Sequence, residues 1–171
     1  MADVLDSATR LLSTTPGRWL SLVEATPEHL LHRPPAPGEW SAADCLHHLL
    51  LTERAVFGER LRAILEGRDL TTFDPNEPRR PEPERTPREV ATALAAERAR
   101  SLALLNGLTP ADLERSSRHP EYGTISLHVV LNTWAAHDLQ HTVQAEEALM
   151  QEFLPGTGPF RFRFADHEVR T

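Results

Sequence analysis

The stretch NTWAAHDLQHTVQAEEALM, Asn132 to Met150, decides the fold, because its apolar residues recur at the spacing of a long amphipathic helix. At about 100° per residue, one stripe of this helix carries the apolar side chains of Leu127, Val130, Trp134, Ala145 and Ala148. His137 and His141 lie inside the same stripe, about 40° apart. Both imidazoles are therefore predicted to point into the interior of a helical bundle.

Two inward histidines need a physical reason. An imidazole in an apolar interior costs free energy unless its nitrogens find polar partners. Two imidazoles at an i, i+4 spacing can meet that need by sharing one divalent cation. The alternative is that each is a core residue whose nitrogens bind a carbonyl group or a water molecule. A third histidine from a neighbouring helix would favour the metal site.

The segment EWSAADCLHHLLLTE, residues 39–53, offers two adjacent candidates for that third histidine, His47 and His48. Helical phase does not separate them, since both lie off the main apolar line of their helix. The residues that share a strip with His48 are small, namely Cys45, Thr52 and Ala55. Those that share a strip with His47 are Arg54, Gly58 and Arg62, which are typical of a solvated edge. The small neighbours of His48 leave room for an ion, which favours His48 slightly over His47.

Helix-start signals recur along the chain. Ser41 to Asp44 and Thr86 to Glu89 have the spacing of a capping box, and Thr26 and Thr109 each precede a proline at a predicted first helical position. With the apolar spacing, these signals predict four long helices. The first runs from about Asp3 to Ser13 and is either continued or restarted after Pro16 to reach Ala25; the others span about Ala42 to Glu66, Pro87 to Asn106, and Leu127 to Gln151. Short helices are predicted at Pro27 and Pro110.

The remaining segments are predicted to be irregular. Residues 67–87 are rich in proline and charge, which indicates an exposed crossing loop, and residues 116–125 are predicted as loop. The tail from Pro155 is predicted to be an extended surface segment that packs Phe160, Phe162 and Phe164 onto the bundle. The sequence thus predicts a single all-α domain over residues 1–171, a four-helix bundle with a non-simple connection.

Composition narrows the function classes. The chain has 171 residues and a net charge of −7, and without a basic stripe it is not expected to bind DNA. Its one cysteine, Cys45, cannot form an internal disulfide or a cysteine-based zinc cluster, which fits a reducing cytoplasm. The amino terminus does not resemble a secretion signal, and no apolar window is long enough to span a membrane. The sequence predicts a soluble cytoplasmic protein.

Two segments together resemble the DinB-like family, named for DNA-damage-inducible bacterial proteins. In residues 37–53 a Trp-Ser pair is followed by His-Leu and then Glu, here Trp40, Ser41, His48, Leu49 and Glu53. In residues 134–149 the core His-Asp-x-x-His is followed by Gln, here His137, Asp138, His141 and Gln144. The order and spacing of these motifs, rather than any one of them, carry the resemblance.

The resemblance implies an up-down-down-up four-helix bundle, a divalent metal ion held by three histidines, and a homodimer. Carried over residue by residue, the ligands are His48, His137 and His141, and the ion is zinc or nickel. The implied activity is that of a metal-dependent hydrolase or of a transferase that uses a low-molecular-weight thiol as cosubstrate, with an undetermined small-molecule substrate. The alternative is a non-enzymatic, dimeric stress-response protein that binds metal.

Three polar residues are weaker candidates for a role in catalysis. Glu53 could polarise a water molecule, but pairing with an arginine is the favoured interpretation. Asp138 and Gln144 could orient imidazoles or water, although a helix-surface salt bridge explains Asp138 equally well. Cys45 could supply a thiolate ligand, although a small buried apolar role is favoured.

Other residues are assigned structural roles. Trp40 and Trp134 are predicted to anchor the core, and His119 and His128 are predicted to lie in a loop and on an outer helix face. A second stripe on the last helix is formed by Val129, Ala136, Val143 and Met150. Packing within the bundle is its favoured explanation, and a self-complementary partner surface is the alternative.

Overall fold

The computed structural model describes residues 4–73 and 85–169. The α-helices are α1 Val4–Ala25, α2 Glu28–Leu31, α3 Ala42–Thr52, α4 Gly58–Glu66, α5 Pro87–Leu105 and α6 Leu127–Met150. A π-helical turn, Glu53–Phe57, joins α3 to α4, so that the second long helix runs from Ala42 to Glu66 as predicted. Two strands, β1 Ser116–His119 and β2 Gly123–Ser126, and two 3-10 helices, Pro110–Glu114 and Leu154–His167, complete the described elements.

The predicted capping boxes form at two helix starts. The Ser41 hydroxyl accepts a hydrogen bond from the Asp44 amide at 3.2 Å, while the Asp44 carboxylate accepts from the Ser41 amide at 2.9 Å. Thr86 and Glu89 repeat this exchange at the start of α5. Each box gives a partner to amides that the first helical turn leaves unpaired.

Helix α1 is continuous at Pro16, which is one of the two predicted alternatives, whereas the predicted first helical position of Pro27 is wrong. Helix α1 continues through Pro16 without a break, because the buried Leu12 and Trp19 on either side pack into the core and outweigh the lost backbone hydrogen bond. Pro27 is itself the residue before α2, and no side-chain cap is formed there.

The distribution of buried residues defines the direction of each long helix. One apolar cluster joins the starts of α1 and α6 to the ends of α4 and α5. A second cluster joins the second half of α1 and the end of α6 to the starts of α3 and α5. The chain therefore follows an up-down-down-up path, in which the end of α4 and the start of α5 lie at opposite ends of the bundle. Residues 74–84 of the predicted crossing loop lie outside the described residues.

A polar layer separates the two apolar clusters. Its fully buried members are Glu53, Arg98, Asp138, His141 and Thr142, contributed by the π-helical turn, α5 and α6. Polar groups in such a position are stable only when they are paired with one another or with a ligand. This layer is therefore where a functional site is expected.

Residues 116–125 form a β-hairpin rather than the predicted loop. His119 pairs with Gly123 across a three-residue turn, and Gly123 has a left-handed backbone with φ of 73°. A glycine in this conformation closes a hairpin loop of this length, but strands of four residues are too short to show a clear alternation of polar and apolar residues. The hairpin buries His119, which is only 1% exposed, whereas His128 is exposed as predicted.

The carboxyl-terminal tail also differs from the prediction. Residues Leu154–His167 form a 3-10 helix that is kinked at Gly158, rather than an extended segment. Proline fixes a backbone angle that suits this tighter helix, and two prolines occur in it. Phe160 and Phe162 are 59% and 72% exposed and do not pack onto the bundle, while Phe164 is half-buried.

The second stripe of α6 does not pack inside the bundle. Val129 and Val143 are 48% and 51% exposed, and Ala136 between them is exposed as well. The favoured explanation of this stripe is therefore wrong. Among the helices of residues 4–73 and 85–169, none has the length and apolar character needed to cross a membrane.

Candidate metal centre

Helices α3 and α6 bring His48, His137 and His141 together in the polar layer. Each offers one ring nitrogen, and these nitrogens all lie within 4.8 Å of one another. The Nε2 atoms of His48 and His137 are 3.1 Å apart. Two nitrogens bound to one tetrahedral zinc ion at ~2.0–2.1 Å would be separated by ~3.3 Å. His47, the competing candidate, is exposed, because its side chain points about 100° away from that of His48 around α3.

Burial keeps the three imidazoles neutral. Desolvation, together with the neighbouring His141, lowers the pKa of His48 to about 4. Desolvation is also the largest cause of the lowered pKa of His137, which falls to about 3 with contributions from His141, His48 and Arg98. Burial lowers the pKa of His141 as well. Neutral imidazole is the form that binds a metal ion, so the cluster offers three ligands at neutral pH.

The outer ring nitrogens behave differently in the two histidines of α6. His141 donates from Nδ1 to the Gln144 side-chain oxygen at 2.9 Å, which leaves Nε2 unprotonated and directed to the cluster. The Nδ1 atom of His137 is buried and has no hydrogen-bond partner within the described residues. Without an ion, the 3.1 Å contact between the Nε2 atoms of His48 and His137 requires one of these rings to donate to the other, whereas a shared cation accepts a lone pair from each of the three rings. The donor set therefore fits a divalent metal ion.

Aromatic rings enclose the cluster. Trp40 stacks on His141 with ring centroids 5.6 Å apart and lies 4.9 Å from His48. It is 38% exposed, so its predicted role as a core anchor is wrong and it covers the outer face of the cluster instead. Trp134 is fully buried, as predicted. On the inner side, the rings of Phe57 and His137 pack edge to face, with their centroids 5.0 Å apart.

A buried ion network lies directly beneath the histidines. Arg98, which is 1% exposed, donates to both oxygens of Asp138 at 2.8 and 3.1 Å and to Glu53 at 3.0 Å. It also donates to the backbone oxygen of Leu12 at 2.8 Å. One guanidinium thus ties α5 to the other three long helices at the level of the cluster.

The π-helical turn positions Glu53 within this network. A π-helical turn takes up an extra residue, which changes the rotational register between α3 and α4. Gly58 ends the turn, and a Cβ atom there would lie only 2.8 Å from the backbone oxygen of Glu53. The close approach requires glycine, whereas the helical pattern around His47 indicates only a solvated strip at Gly58.

The three weaker candidates for a role in catalysis, Glu53, Asp138 and Gln144, do not all have the same partner in the structure. Glu53 and Asp138 are buried and bind Arg98, and within the described residues neither side chain forms a hydrogen bond to an imidazole of the cluster. Burial raises the pKa of Glu53, although Arg98 opposes the rise. The arginine partner expected for Glu53 is Arg98, and the salt bridge of Asp138 is buried rather than on the helix surface. Gln144 alone contacts a cluster imidazole.

Cys45 is not part of the cluster. It is fully buried, and burial followed by the charge of Asp44 raises the pKa of its thiol to about 12. The group of potential ligands found within the described residues consists of the three histidines. The favoured interpretation of Cys45, a small buried apolar side chain, agrees with this environment.

Comparison with known proteins gives two matches of different kinds. The family model of the DinB superfamily matches residues 11–145, a span that includes all three histidines of the cluster. Among solved structures, the chain is similar to YfiT from Bacillus subtilis, described as a probable metal-dependent hydrolase with an unusual four-helix bundle topology. That similarity has a TM-score of 0.70 and 21% sequence identity, and covers 86% of this chain and 87% of YfiT. No curated protein matches the chain.

Proposed function

The chain belongs to the DinB superfamily, and we propose that it binds a divalent metal ion, zinc or nickel, through His48, His137 and His141 and hydrolyses a small-molecule substrate there. One observation carries the proposal: three neutral imidazoles from two helices present nitrogens within 4.8 Å of one another. The description of YfiT as a probable metal-dependent hydrolase supports the choice of hydrolysis among the reactions open to such a site.

The surrounding residues suit a reactive rather than a purely structural ion. Three protein ligands leave at least one coordination position open, and His48 and His137 are only partly buried, so that solvent can reach the cluster. A divalent ion would supply Lewis acidity, which polarises a carbonyl group or activates water for attack. Gln144 fixes the tautomer of His141, and Trp40 shields one face of the cluster.

Metal content tests the ligand set. Elemental analysis of protein purified without a histidine tag should find zinc or nickel in near-equal amount to the chain. His48→Ala should lose that metal, whereas His47→Ala should retain it, because His47 is exposed on the same helix. Equal metal retention by the two variants would exclude the proposed centre.

Activity tests the reaction. Hydrolysis of a panel of carboxylic esters and amides should stop on chelation and return when zinc or nickel is added back. The same panel with a low-molecular-weight thiol and an electrophile tests the transferase reaction, and turnover that requires the thiol would replace hydrolysis. If metal binding raises the melting temperature strongly but no substrate is turned over, the alternative function, a non-enzymatic stress-response protein that binds metal, is supported instead.

We further propose that the chain forms a homodimer through the exposed stripe of Val129, Ala136 and Val143. Exposed valines at heptad spacing are suited to packing against the same stripe of a second chain. Light scattering should then give the mass of a dimer, and Val143→Lys should give a monomer. The cytoplasm is the proposed location, since the single buried thiol of Cys45 suits a reducing compartment.

A further inference from the structure

A cavity of about 400 Å³ lies beside the metal centre. It is open to solvent on one side and is lined by the π-helical turn, α4, the hairpin and α6, with Phe57, Arg60, Tyr122, Ile125 and Thr133 among its lining residues. The ring of Phe57 forms a wall between this cavity and the proposed metal centre, because it also packs against the His137 ring with centroids 5.0 Å apart. Thr133 stands one helical turn before His137 on α6. A molecule in this cavity would therefore be separated from His137 by the ring of Phe57.

Arg60 places a positive charge in this cavity without a matching carboxylate. Its guanidinium is half-buried, and burial lowers its pKa. Among the described residues, no acidic side chain forms a salt bridge with Arg60, and its one polar contact is His119 Nε2 at 3.5 Å. The other buried arginine, Arg98, is instead satisfied by two carboxylates. A half-buried guanidinium without an anion is costly, and a bound anion would stabilise it.

The contact between Arg60 and His119 joins two hydrogen-bond donors and contains no acceptor. His119 is 1% exposed, and its Nδ1 accepts hydrogen bonds from the backbone amides of Glu121 and Tyr122 at 3.2 and 3.4 Å. The ring proton therefore lies on Nε2, which is directed at the guanidinium of Arg60. Neither group can accept from the other, so His119 does not satisfy the guanidinium of Arg60. The Tyr122 ring covers the His119 imidazole, with ring centroids 4.8 Å apart.

We propose that Arg60 forms an oxyanion-binding subsite in this cavity, which takes a carboxylate or phosphate group of the substrate while its apolar part lies against Phe57 and Ile125. The inference rests on the proposed function, because it assigns a substrate class to that hydrolytic centre. A guanidinium presents its N–H groups as a fork that matches the oxygens of both anions.

Calorimetry with matched small molecules tests this subsite. The probes are hexanoate, hexyl phosphate and hexanol, which share an apolar chain and differ in the charged group. Each is titrated into metal-free and metal-loaded protein. At least one anion should bind both forms, and hexanol should bind at least about tenfold more weakly. The tighter anion identifies the substrate class as carboxylate or phosphate.

Substitutions on α4 provide the matched comparison. Arg60→Met should weaken anion binding by about 10-fold to 100-fold, the effect of losing one or two charge-assisted hydrogen bonds. Arg60→Lys keeps the charge and should restore part of the affinity. Arg62→Met removes the same charge two residues away, where Arg62 pairs with Glu59 at 3.3 Å, and should leave binding unchanged. Melting curves establish that each variant is folded.

Failure of the subsite can be distinguished from failure of the metal centre. The subsite is excluded if neither anion binds, if Arg60→Met binds them as tightly as the wild type, or if hexanol binds equally well. Because the anions are also titrated into metal-free protein, their binding does not depend on hydrolysis. Anion binding that depends on Arg60, without turnover of any substrate, would support the subsite and exclude the hydrolytic function. Turnover without anion binding would support the hydrolytic function and exclude the subsite.

Discussion

Arg98 holds Asp138 by two hydrogen bonds, 2.8 and 3.1 Å long, and Asp138 is the residue that follows His137 on α6. Such bidentate pairing fixes both the distance and the orientation of the two side chains. Because Arg98 also binds Glu53, it links α6 to the helix that carries His48. The network thereby sets the spacing of the two helices that carry the three histidines of the proposed metal centre, although none of its members belongs to the cluster.

Replacing Arg98 should destabilise the fold strongly. Arg98→Met keeps most of the side-chain volume but leaves the carboxylates of Glu53 and Asp138 buried without their cation. We expect the free energy of unfolding in urea to fall by about 3–5 kcal/mol, as when one partner of a buried ion pair is removed.

Arg100 provides the control for this substitution. It lies on the same helix, but it pairs with Glu97 at the surface. Arg100→Met should therefore change the free energy of unfolding by less than about 1 kcal/mol. Similar losses in the two variants would show that the buried network does not stabilise the bundle.

Gln144 should affect metal affinity rather than stability. Its side-chain oxygen accepts from His141 Nδ1, and removal of such an outer partner typically lowers metal affinity by about 10-fold to 100-fold. Competition with a chelator of known affinity should show this loss in Gln144→Ala. Gln144→Glu, which keeps the acceptor, should retain the affinity. Gln140→Ala, an exposed position one turn earlier, serves as the control, and an equal loss there would refute the orienting role.

The features that sequence could predict are those with a long period or a fixed local spacing. The four long helices follow from apolar residues repeated over several turns, and the two capping boxes follow from side chains that reach three residues along the chain. The inward direction of His137 and His141 has the same origin. The choice of His48 over His47 came from the motif, because both lie off the apolar line of their helix.

The features that sequence could not predict depend on contacts between distant segments. Arg98 stands in an alanine-rich helix whose pattern does not mark it as buried, and it is stabilised only by Glu53 and Asp138 from other helices. The hairpin is too short for its alternation to be recognised, so His119 was placed in a loop. Trp40 was assigned to the core because large aromatic residues are usually buried, whereas here it covers a polar cluster.

Gly58 should be intolerant of even the smallest side chain. A Cβ atom would lie 2.8 Å from the backbone oxygen of Glu53 and 3.2 Å from the Ser101 hydroxyl, so Gly58→Ala must displace the π-helical turn. We expect the free energy of unfolding to fall by about 1–3 kcal/mol, the usual cost of overpacking.

Gly17 is the matched helical glycine. It is exposed in α1, and a Cβ atom there would meet nothing within 4 Å. Gly17→Ala should raise the free energy of unfolding by about 0.5–1 kcal/mol, because alanine loses less conformational entropy in a helix than glycine does. Opposite signs for the two variants in thermal or urea unfolding are expected, and stabilisation by both would show that the turn has room at Gly58.

Cys45 should be unreactive in the folded protein and dispensable for metal binding. Burial raises the pKa of its thiol from 9.0 to about 12, so that at pH 8 its thiolate fraction is roughly 1000-fold smaller than that of an unperturbed thiol. A disulfide reagent that reports thiolate release should therefore react rapidly at pH 8 in denaturant and only very slowly in native buffer. Cys45→Ala should keep the metal content of the wild type, in contrast to His48→Ala. Rapid native labelling that bound metal blocks, together with loss of metal in Cys45→Ala, would instead make the thiolate a fourth ligand, with one fewer coordination position open to substrate.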